Sequence, residues 1–312
     1  MRASAESDLE GAFDACEAAY RYYGRVRDVL SHPSSAYLTL PRENPAKCRL
    51  KGAHLADMGV AGVRLATPGH YYCWLTDFEG GQPIGLVSED WLHRRRTAVT
   101  GALAARWLAR PQASTAALIG AGKIGREFVR TLSHALELDE LRIASRSGSS
   151  AAALAVEFGP VSDGTRISHA PTIKAEIRGS DIVVTITKAD EAFVRPGWLA
   201  EGALLLSMGG VPEVDFAVLD EIDRLIVDDI DYAMAQGDLH AWVKDGSITE
   251  DALLARLDAD VGEVCIGAKP GRQNEGERIM AVIQGMAICD LAMAKMVLDR
   301  AEADGEGQTV TL

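Results

Sequence analysis

The sequence has little of what marks several broad classes of protein. Only five of its 312 residues are cysteines (Cys16, Cys48, Cys73, Cys265 and Cys289). Their number is odd and no two are spaced as C-x-x-C, which argues against a disulfide frame or a zinc site and for thiols in a reducing compartment. No run of 18 apolar residues occurs, and there is neither a signal peptide nor a lipidation motif, so a soluble cytoplasmic protein is expected. Positive charge is scarce: 32 Lys and Arg stand against 45 Asp and Glu, for a net charge of −13. Nucleic acids and acidic membranes select clustered Lys and Arg, and the one basic cluster, His93–Arg96, is too short to reverse that balance. Neither partner is expected. Low-complexity tracts are missing as well. What remains, 47% hydrophobic and 25% charged, is ordinary globular composition. The chain is long enough for two domains with cores.

What is present centres on Ser114–Ser147. A short apolar strand (Ala116–Ile119) leads into a glycine turn (Gly120, Gly122, Gly125) and a helix with apolar positions at Ile124, Phe128 and Leu132. A second strand, Leu141–Ala144, closes the unit. G-x-G-x-x-G alone is a weak pattern, but between a strand and a helix in a βαβ of this length it reads as a dinucleotide fingerprint. Gly120 permits the tight turn, Gly122 lets the backbone approach a pyrophosphate, and Gly125 lets helix and strand pack closely. The first N–H groups of the helix, from Lys123 and Ile124 onward, then face the phosphates.

Around this unit the periodicity changes twice. Ser7–Tyr23 reads as an amphipathic helix, with Leu9, Phe13, Cys16 and Tyr20 on one face and Asp8 near its start. From Ala36 to Leu92 come strand-like runs, Tyr37–Leu40, Cys48–Leu50, Gly62–Ala66, Tyr71–Thr76 and Ile84–Val87, with a hairpin turn at Asp77–Gly81. Arg94–Ala109 reads as a helix. Beyond the fingerprint, helical segments (Ser150–Phe158, Ala170–Arg178) alternate with strands (Arg166–Ser168, Asp181–Thr187, Ala203–Met208, Arg224–Val227). That is the pattern of a doubly wound parallel α/β sheet.

Two sets of residues carry candidate chemistry. At the end of its second strand an NAD site usually places an acid for the ribose 2′-hydroxyl. Here Ser145-Arg146-Ser147 stands instead, a cation between hydroxyls that suits a 2′-phosphate and favours NADP(H) over NAD(H). Arg146 stacked only on the adenine would leave that preference open. Thr185 and Thr187 end a strand where cofactor contacts cluster, or are β-formers chosen for packing. The second set is cationic. Arg49 and Lys51, two apart on a strand, leave the same face. Arg64 lies in an apolar strand, either at an edge or half-buried with an anionic partner. Arg96 opens the helix Arg94–Ala109, near its positive end. Such cations on adjacent strands ahead of a cofactor domain suit a carboxylate.

With these residues in view the chain resembles the ornithine cyclodeaminase/mu-crystallin family. Arg49–Leu55 resembles its R-x-M-P-A strand and Gly62-Val63-Arg64 its G-[IVL]-K strand. Arg96-Thr97-Ala98 is similar to the R-T-[AG] of the hinge helix, and Ala117–Gly125 to the dinucleotide loop. Ile226–Asp229 resembles V-V-D-D, and Asp290-Leu291-Ala292 with Ala294 resembles D-x-A-x-A. The similarity begins later than the family norm, without its usual first strand. The resemblance implies a Rossmann doubly wound sheet (96–279) inserted in a smaller α+β substrate and dimerisation domain (1–95 with 280–312). The apolar helix Ile279–Leu298 would return to that domain, and the protein would be a homodimer. It implies further that Arg49 and Arg96 clamp a substrate carboxylate, and that Met208 and Asp228 lie among the cofactor residues.

The departures from the family pattern point to the reaction. The family's catalytic lysine is Arg64 here, and an arginine cannot release a proton near neutral pH. The loop corresponding to the family's G-A-D-x-P-G-K, Ser207–Pro212, is shortened and holds no acid. The shortening resembles that of the branch making 2,3-diaminopropionate. Cyclodeamination needs acid and base over several steps and is disfavoured. Reduction of an iminium needs chiefly positioning and charge complementarity. Lys51, crowded by Arg49 and Arg64, is the first candidate proton donor, and otherwise an exposed strand lysine. His54 and Tyr72 are second choices at the substrate site. Arg64 would alternatively bind a second carboxylate. The expectation is an NADP(H)-dependent oxidoreductase interconverting a small α-amino acid and its imine. The alternatives are a dehydrogenase splitting an N-carboxyalkyl amino acid and a non-catalytic NADPH-binding protein.

Overall fold

In a computed structural model the described residues are 8–39, 47–88, 90–159, 164–170 and 172–310. Ser7, Leu40 and Pro171, at the ends of or inside expected elements, lie outside them. The chain divides into two compact units, Met1–Val99 with Gly285–Leu312, and Thr100–Gln284. The second is thus inserted in the chain of the first. No described helix is long and apolar enough to cross a membrane.

The first unit is an antiparallel sheet covered by helices. Its first helix, Leu9–Arg25, is started by Asp8, whose carboxylate accepts the Gly11 N–H at 2.8 Å. It buries Phe13, Cys16 and Tyr20, the face read from their spacing. Strands β1 (Ala36–Thr39), β2 (Lys47–Leu55), β3 (Val60–Thr67), β4 (His70–Asp77) and β5 (Pro83–Ser88) form a meander in chain order. β4 and β5 are joined at Asp77, whose N–H donates to the Gln82 carbonyl and whose carbonyl accepts from Gly81. The last helix, Ala287–Ala303, packs on the first helix and on β2–β5. Along β3 and β4 the buried residues alternate, Arg64 on one and Cys73 and Leu75 on the other, which fixes the inward face.

The second unit is a parallel sheet of eight strands. These are β6 (Thr115–Ile119), β7 (Glu140–Ala144), β8 (Arg166–Ser168), β9 (Ile182–Thr185), β10 (Leu204–Ser207), β11 (Arg224–Val227), β12 (Leu257–Asp260) and β13 (Ile279–Val282). Their order is β12-β11-β13-β10-β9-β6-β7-β8. Chain direction across the sheet reverses between β6 and β9, the switch point at which open α/β sheets bind ligands. The Rossmann expectation holds.

One expected element is corrected. Ile279–Val282 does not open the C-terminal helix but pairs in parallel with both β10 and β11, inside the sheet. The helix starts at Ala287, beyond Gly285 at φ +82°. A strand covered on both faces reads as a continuous apolar run, which periodicity cannot separate from a buried helix. The strand β12 and the short helices between Ile230 and Cys265 are further elements that the sequence pattern does not announce.

Candidate active site

In the second unit the glycine turn has the geometry a dinucleotide needs. Gly120 takes φ +130°, a backbone region that L side chains rarely adopt, and a Cβ there would lie 2.3 Å from the Ile186 carbonyl oxygen. At Gly125 a Cβ would lie 1.8 Å from the Gly120 carbonyl oxygen, so this position requires the helix Lys123–Ala135 to meet the turn without a side chain. Gly122, the residue capping that helix, is different: a Cβ there meets nothing within 4 Å. Its open side and the helix N-terminus form a cradle that fits a pyrophosphate. Lys123 is exposed and Ile124 half-buried beside it. After β7, Ser145 Oγ accepts the Ala151 N–H at 3.1 Å, Ser147 and Ser149 share a 3.0 Å hydrogen bond, and exposed Arg146 lies 3.3 Å from Asp190.

The carboxyl ends of β9, β10, β11 and β13 hold a buried polar network. Glu213, fully buried, accepts from the Thr187 N–H (2.6 Å) and hydroxyl (2.5 Å) with one oxygen, and from the Gly209 N–H (3.0 Å) with the other. Asp238 accepts from the N–H groups of Glu213 (2.6 Å) and Val214 (2.9 Å), and from Ser207 Oγ (2.5 Å). Burial pushes the Glu213 carboxyl up to about 7, and also raises that of Asp238. Gln284 donates to the Gly209 carbonyl at 3.0 Å and accepts from Gln236 at 2.7 Å. Thr185 is buried and its carbonyl accepts the Met208 N–H at 2.9 Å. Asp228, at the end of β11, accepts the Asp229 N–H at 2.9 Å.

In the first unit the cations converge. Lys51 and Arg64 are direct partners across β2 and β3, so both point to one face. Like charges directly opposite repel, and the arrangement needs an acid. The last helix supplies Asp290: its Oδ2 lies 3.5 Å from Arg64 Nε and its Oδ1 accepts from Arg96 Nε at 2.6 Å. Lys51 Nζ, with the residue 2% exposed, donates to the Gly285 carbonyl at 2.8 Å. Burial, followed by the charge of Arg49, lowers the Lys51 amine well below the usual lysine range. A Cβ at Gly285 would lie 2.0 Å from Arg96 Nη1, so Gly285 is required by both its φ and its neighbour. Arg49 is half-buried, donating from Nε to Ser35 Oγ at 2.9 Å. His93 sits between the arginines: Arg64 Nη2 and Arg96 Nη2 each lie 3.2 Å from its Nδ1.

The comparisons with known proteins decide the lineage. The family model for the ornithine cyclodeaminase/mu-crystallin family matches residues 66–305. The chain belongs to the ornithine cyclodeaminase/mu-crystallin family. An uncharacterised cyclodeaminase of Sinorhizobium fredii is 32% identical over 226 residues, 71% of this chain and 67% of the relative. An alanine dehydrogenase of Archaeoglobus fulgidus is 26% identical over 318 residues, covering 97% and 94%. The structure of Thermococcus litoralis Δ1-pyrroline-2-carboxylate reductase with NADH and L-proline superposes with a TM-score of 0.88 at 22% identity, covering 99% and 98%.

Within this family, the site residues read from the sequence fall into two groups. Lys51, Arg64 and Arg96 stand together at Asp290, and the buried setting of Lys51 overturns the reading of an exposed strand lysine. Arg64 is the buried cation with an anionic partner, not an edge residue. His54 and Tyr72 lie elsewhere. Their register puts them on the sheet face opposite Lys51 and Arg64. His54 meets the Tyr22 hydroxyl at 3.3 Å, and Tyr72 stacks on His70. Three residues were not singled out: His93, Asp290 and Glu213. Asp290 was visible as part of a family motif. Glu213 follows the acid-free loop Ser207–Pro212 directly and brings a carboxylate back onto Gly209. Nothing in spacing announces His93.

Proposed function

We propose that this protein is an NADP(H)-dependent imine reductase or amino-acid dehydrogenase that interconverts a small α-amino acid and its imine. The chain is an NAD(P)-dependent oxidoreductase acting on CH–NH or CH–NH2 groups. The proposal adds the phosphorylated cofactor, the carboxylate-bearing substrate and the roles of the residues. One observation carries it: three buried basic side chains, Lys51, Arg64 and Arg96, face the carboxylate of Asp290. They bring three basic groups to one buried place, and the carboxylate of an imino acid is an anion of matching charge.

Gly120, Gly122, Gly125 and the first N–H groups of the following helix would hold the pyrophosphate, and Ser145, Arg146 and Ser147 the adenosine 2′-phosphate. Thr185, Thr187, Met208 and Asp228, at the ends of their strands, would line the remainder of the cofactor. A bound nicotinamide cofactor supplies or takes up the hydride at the imine carbon. Arg49 and Arg96 orient the carboxylate, and a guanidinium fork suits that task. As the carbon gains hydride, the π electrons of the C=N bond become a nitrogen lone pair, and that nitrogen takes a proton from Lys51 Nζ. In the direction of oxidation, Lys51 receives it. Arg64 keeps its charge throughout and lowers the proton affinity of Lys51.

The homodimer is proposed on a surface of the first unit. Val63, Trp74 and Leu86 are neighbours across β3, β4 and β5 and are 37%, 41% and 61% exposed. A row of large apolar side chains on an open sheet face suits a second copy. The test of function is the loss of NADPH or NADH absorbance with a panel of cyclic ketimine carboxylates, and of α-keto acids with ammonia. Turnover with NADPH preferred is expected. Tight NADPH binding without turnover of any member would overturn the reading, and a strong NADH preference would overturn the role of Arg146.

A further inference from the structure

The ring of His93 is held by two groups that can only donate. A guanidinium has five N–H donors and no acceptor. Arg64 Nη2 and Arg96 Nη2 both lie 3.2 Å from His93 Nδ1, so Nδ1 carries the lone pair and the proton of the neutral ring is on Nε2. Tyr71, on β4, stacks on this ring with centroids 4.8 Å apart, and the Arg64 guanidinium lies 5.1 Å above the Tyr71 ring. The imidazole is thus clamped in plane and in tautomer by side chains from β3, β4 and the helix Asp90–Leu108.

The charged groups around it agree with that state. Burial, then Arg96 and Arg64, lower the His93 pKa well below the usual histidine value, Lys51 adds to this, and Asp290 on the last helix opposes it. A positive imidazolium would be a fourth cation among Lys51, Arg64 and Arg96, with an N–H aimed at two N–H donors.

We propose that His93 is a positioning residue for substrate binding: its Nδ1 gathers the Arg64 and Arg96 guanidinium groups into one arrangement. The ligand, an imino- or amino-acid carboxylate, rests on the function proposed above; the state of the ring does not. The relation is particular to this chain because it joins His93 to Arg64, the residue standing where the family has its lysine. A lysine there would offer one flexible ammonium, whereas an arginine needs an acceptor to fix its plane.

Two variants and one spectrum test this. His93→Asn keeps an acceptor near the place of Nδ1, and His93→Leu removes it. For His93→Leu, KM for the imino-acid substrate should rise roughly 10- to 100-fold with kcat changed far less, the mark of lost uniform binding. NADPH affinity should stay unchanged, and His93→Asn should recover most of the loss. Long-range proton–nitrogen spectra of labelled protein, assigned with the Asn variant, should show His93 with Nδ1 unprotonated and Nε2 protonated from pH 5.5 to 8, a range spanning the ordinary histidine pKa of about 6.5. Titration near that ordinary value, or a proton on Nδ1, would overturn the proposal. So would an Asn variant as impaired as the Leu variant. The spectrum needs no substrate. If the panel finds no turnover, the function fails while the ring state is still decided.

Discussion

In the first unit Lys51, Arg64 and Arg96 are buried around the carboxylate of Asp290, whereas in the second the carboxylates of Glu213 and Asp238 are buried among hydroxyls and backbone N–H groups. The acids are served by the protein itself: six N–H or O–H donors reach the Glu213 and Asp238 side chains, from Thr187, Gly209, Glu213, Val214 and Ser207. Of the cations, Arg64 and Arg96 share the Asp290 carboxylate. The second arrangement is complete as it stands and fixes the loops at the ends of β9 and β10. The first gathers basic groups, and their positive charge suits the substrate carboxylate proposed for it. The two differ also in their response to pH. Glu213 holds a proton in the native state up to about 7, where the unfolded chain has lost it near 4.5. Its contribution to stability is therefore full below 4.5 and lost as pH rises to about 7. The lowered amine of Lys51 runs oppositely: stability from this group rises with pH until the ordinary value of 10.5 is passed.

The largest way to break the comparison is to remove the acid from the cation-rich unit. Asp290→Asn takes away the carboxylate that Arg64 and Arg96 share and should destabilise by about 3–5 kcal/mol, measured by urea unfolding. A change below about 1 kcal/mol would mean that Asp290 is not the group holding these cations together. Next comes Lys51→Met, which should lower kcat by roughly 10²–10⁴-fold while NADPH affinity is unchanged. Untouched turnover would remove Lys51 from the proton path.

A smaller effect sharpens the contrast in pH. From pH 4.5 to 7 the Glu213 carboxyl should withdraw up to about 3 kcal/mol of stability, at about 1.4 kcal/mol for each unit of its displacement. Glu213→Gln should flatten that part of the curve, read as urea midpoints at a series of pH values. An identical slope in both proteins would contradict the placement of a proton on Glu213. The smallest expected change is at the exposed Arg146, paired with exposed Asp190. Arg146→Ser should weaken NADPH about tenfold, the loss of a charge-assisted contact worth about 1.5 kcal/mol, and leave NADH binding unaltered. Equal weakening of both cofactors would favour stacking on the adenine over contact with the 2′-phosphate.

How much of this was legible in the sequence also divides between the units. The dinucleotide turn could be read residue by residue because each glycine has a local reason: a positive φ at Gly120, an open side at Gly122, a close approach at Gly125. The common face of Arg49 and Lys51 followed from strand alternation alone. The strand Ile279–Val282 reads as helix in the sequence because a central parallel strand carries no polar face to set a period. His93 and Glu213 were missed for another reason. Each has a decisive partner remote in the chain, Arg64 lying 29 residues from His93 and Thr187 26 residues from Glu213. Only folding brings these groups together, and no local pattern announces such a meeting. His54 and Tyr72 failed as neighbours of Lys51 because a shift of one residue along a strand changes the face.

The central claim is that the buried cations of the first unit bind the carboxylate of the imine being reduced. Its most direct measurement compares NADPH oxidation with a cyclic ketimine carboxylate and with the same ketimine lacking the carboxyl group, under saturating NADPH. Turnover confined to the carboxylate-bearing compound, and reduced in kcat/KM by Arg96→Leu, is the predicted result. Equal turnover of both compounds would contradict the account.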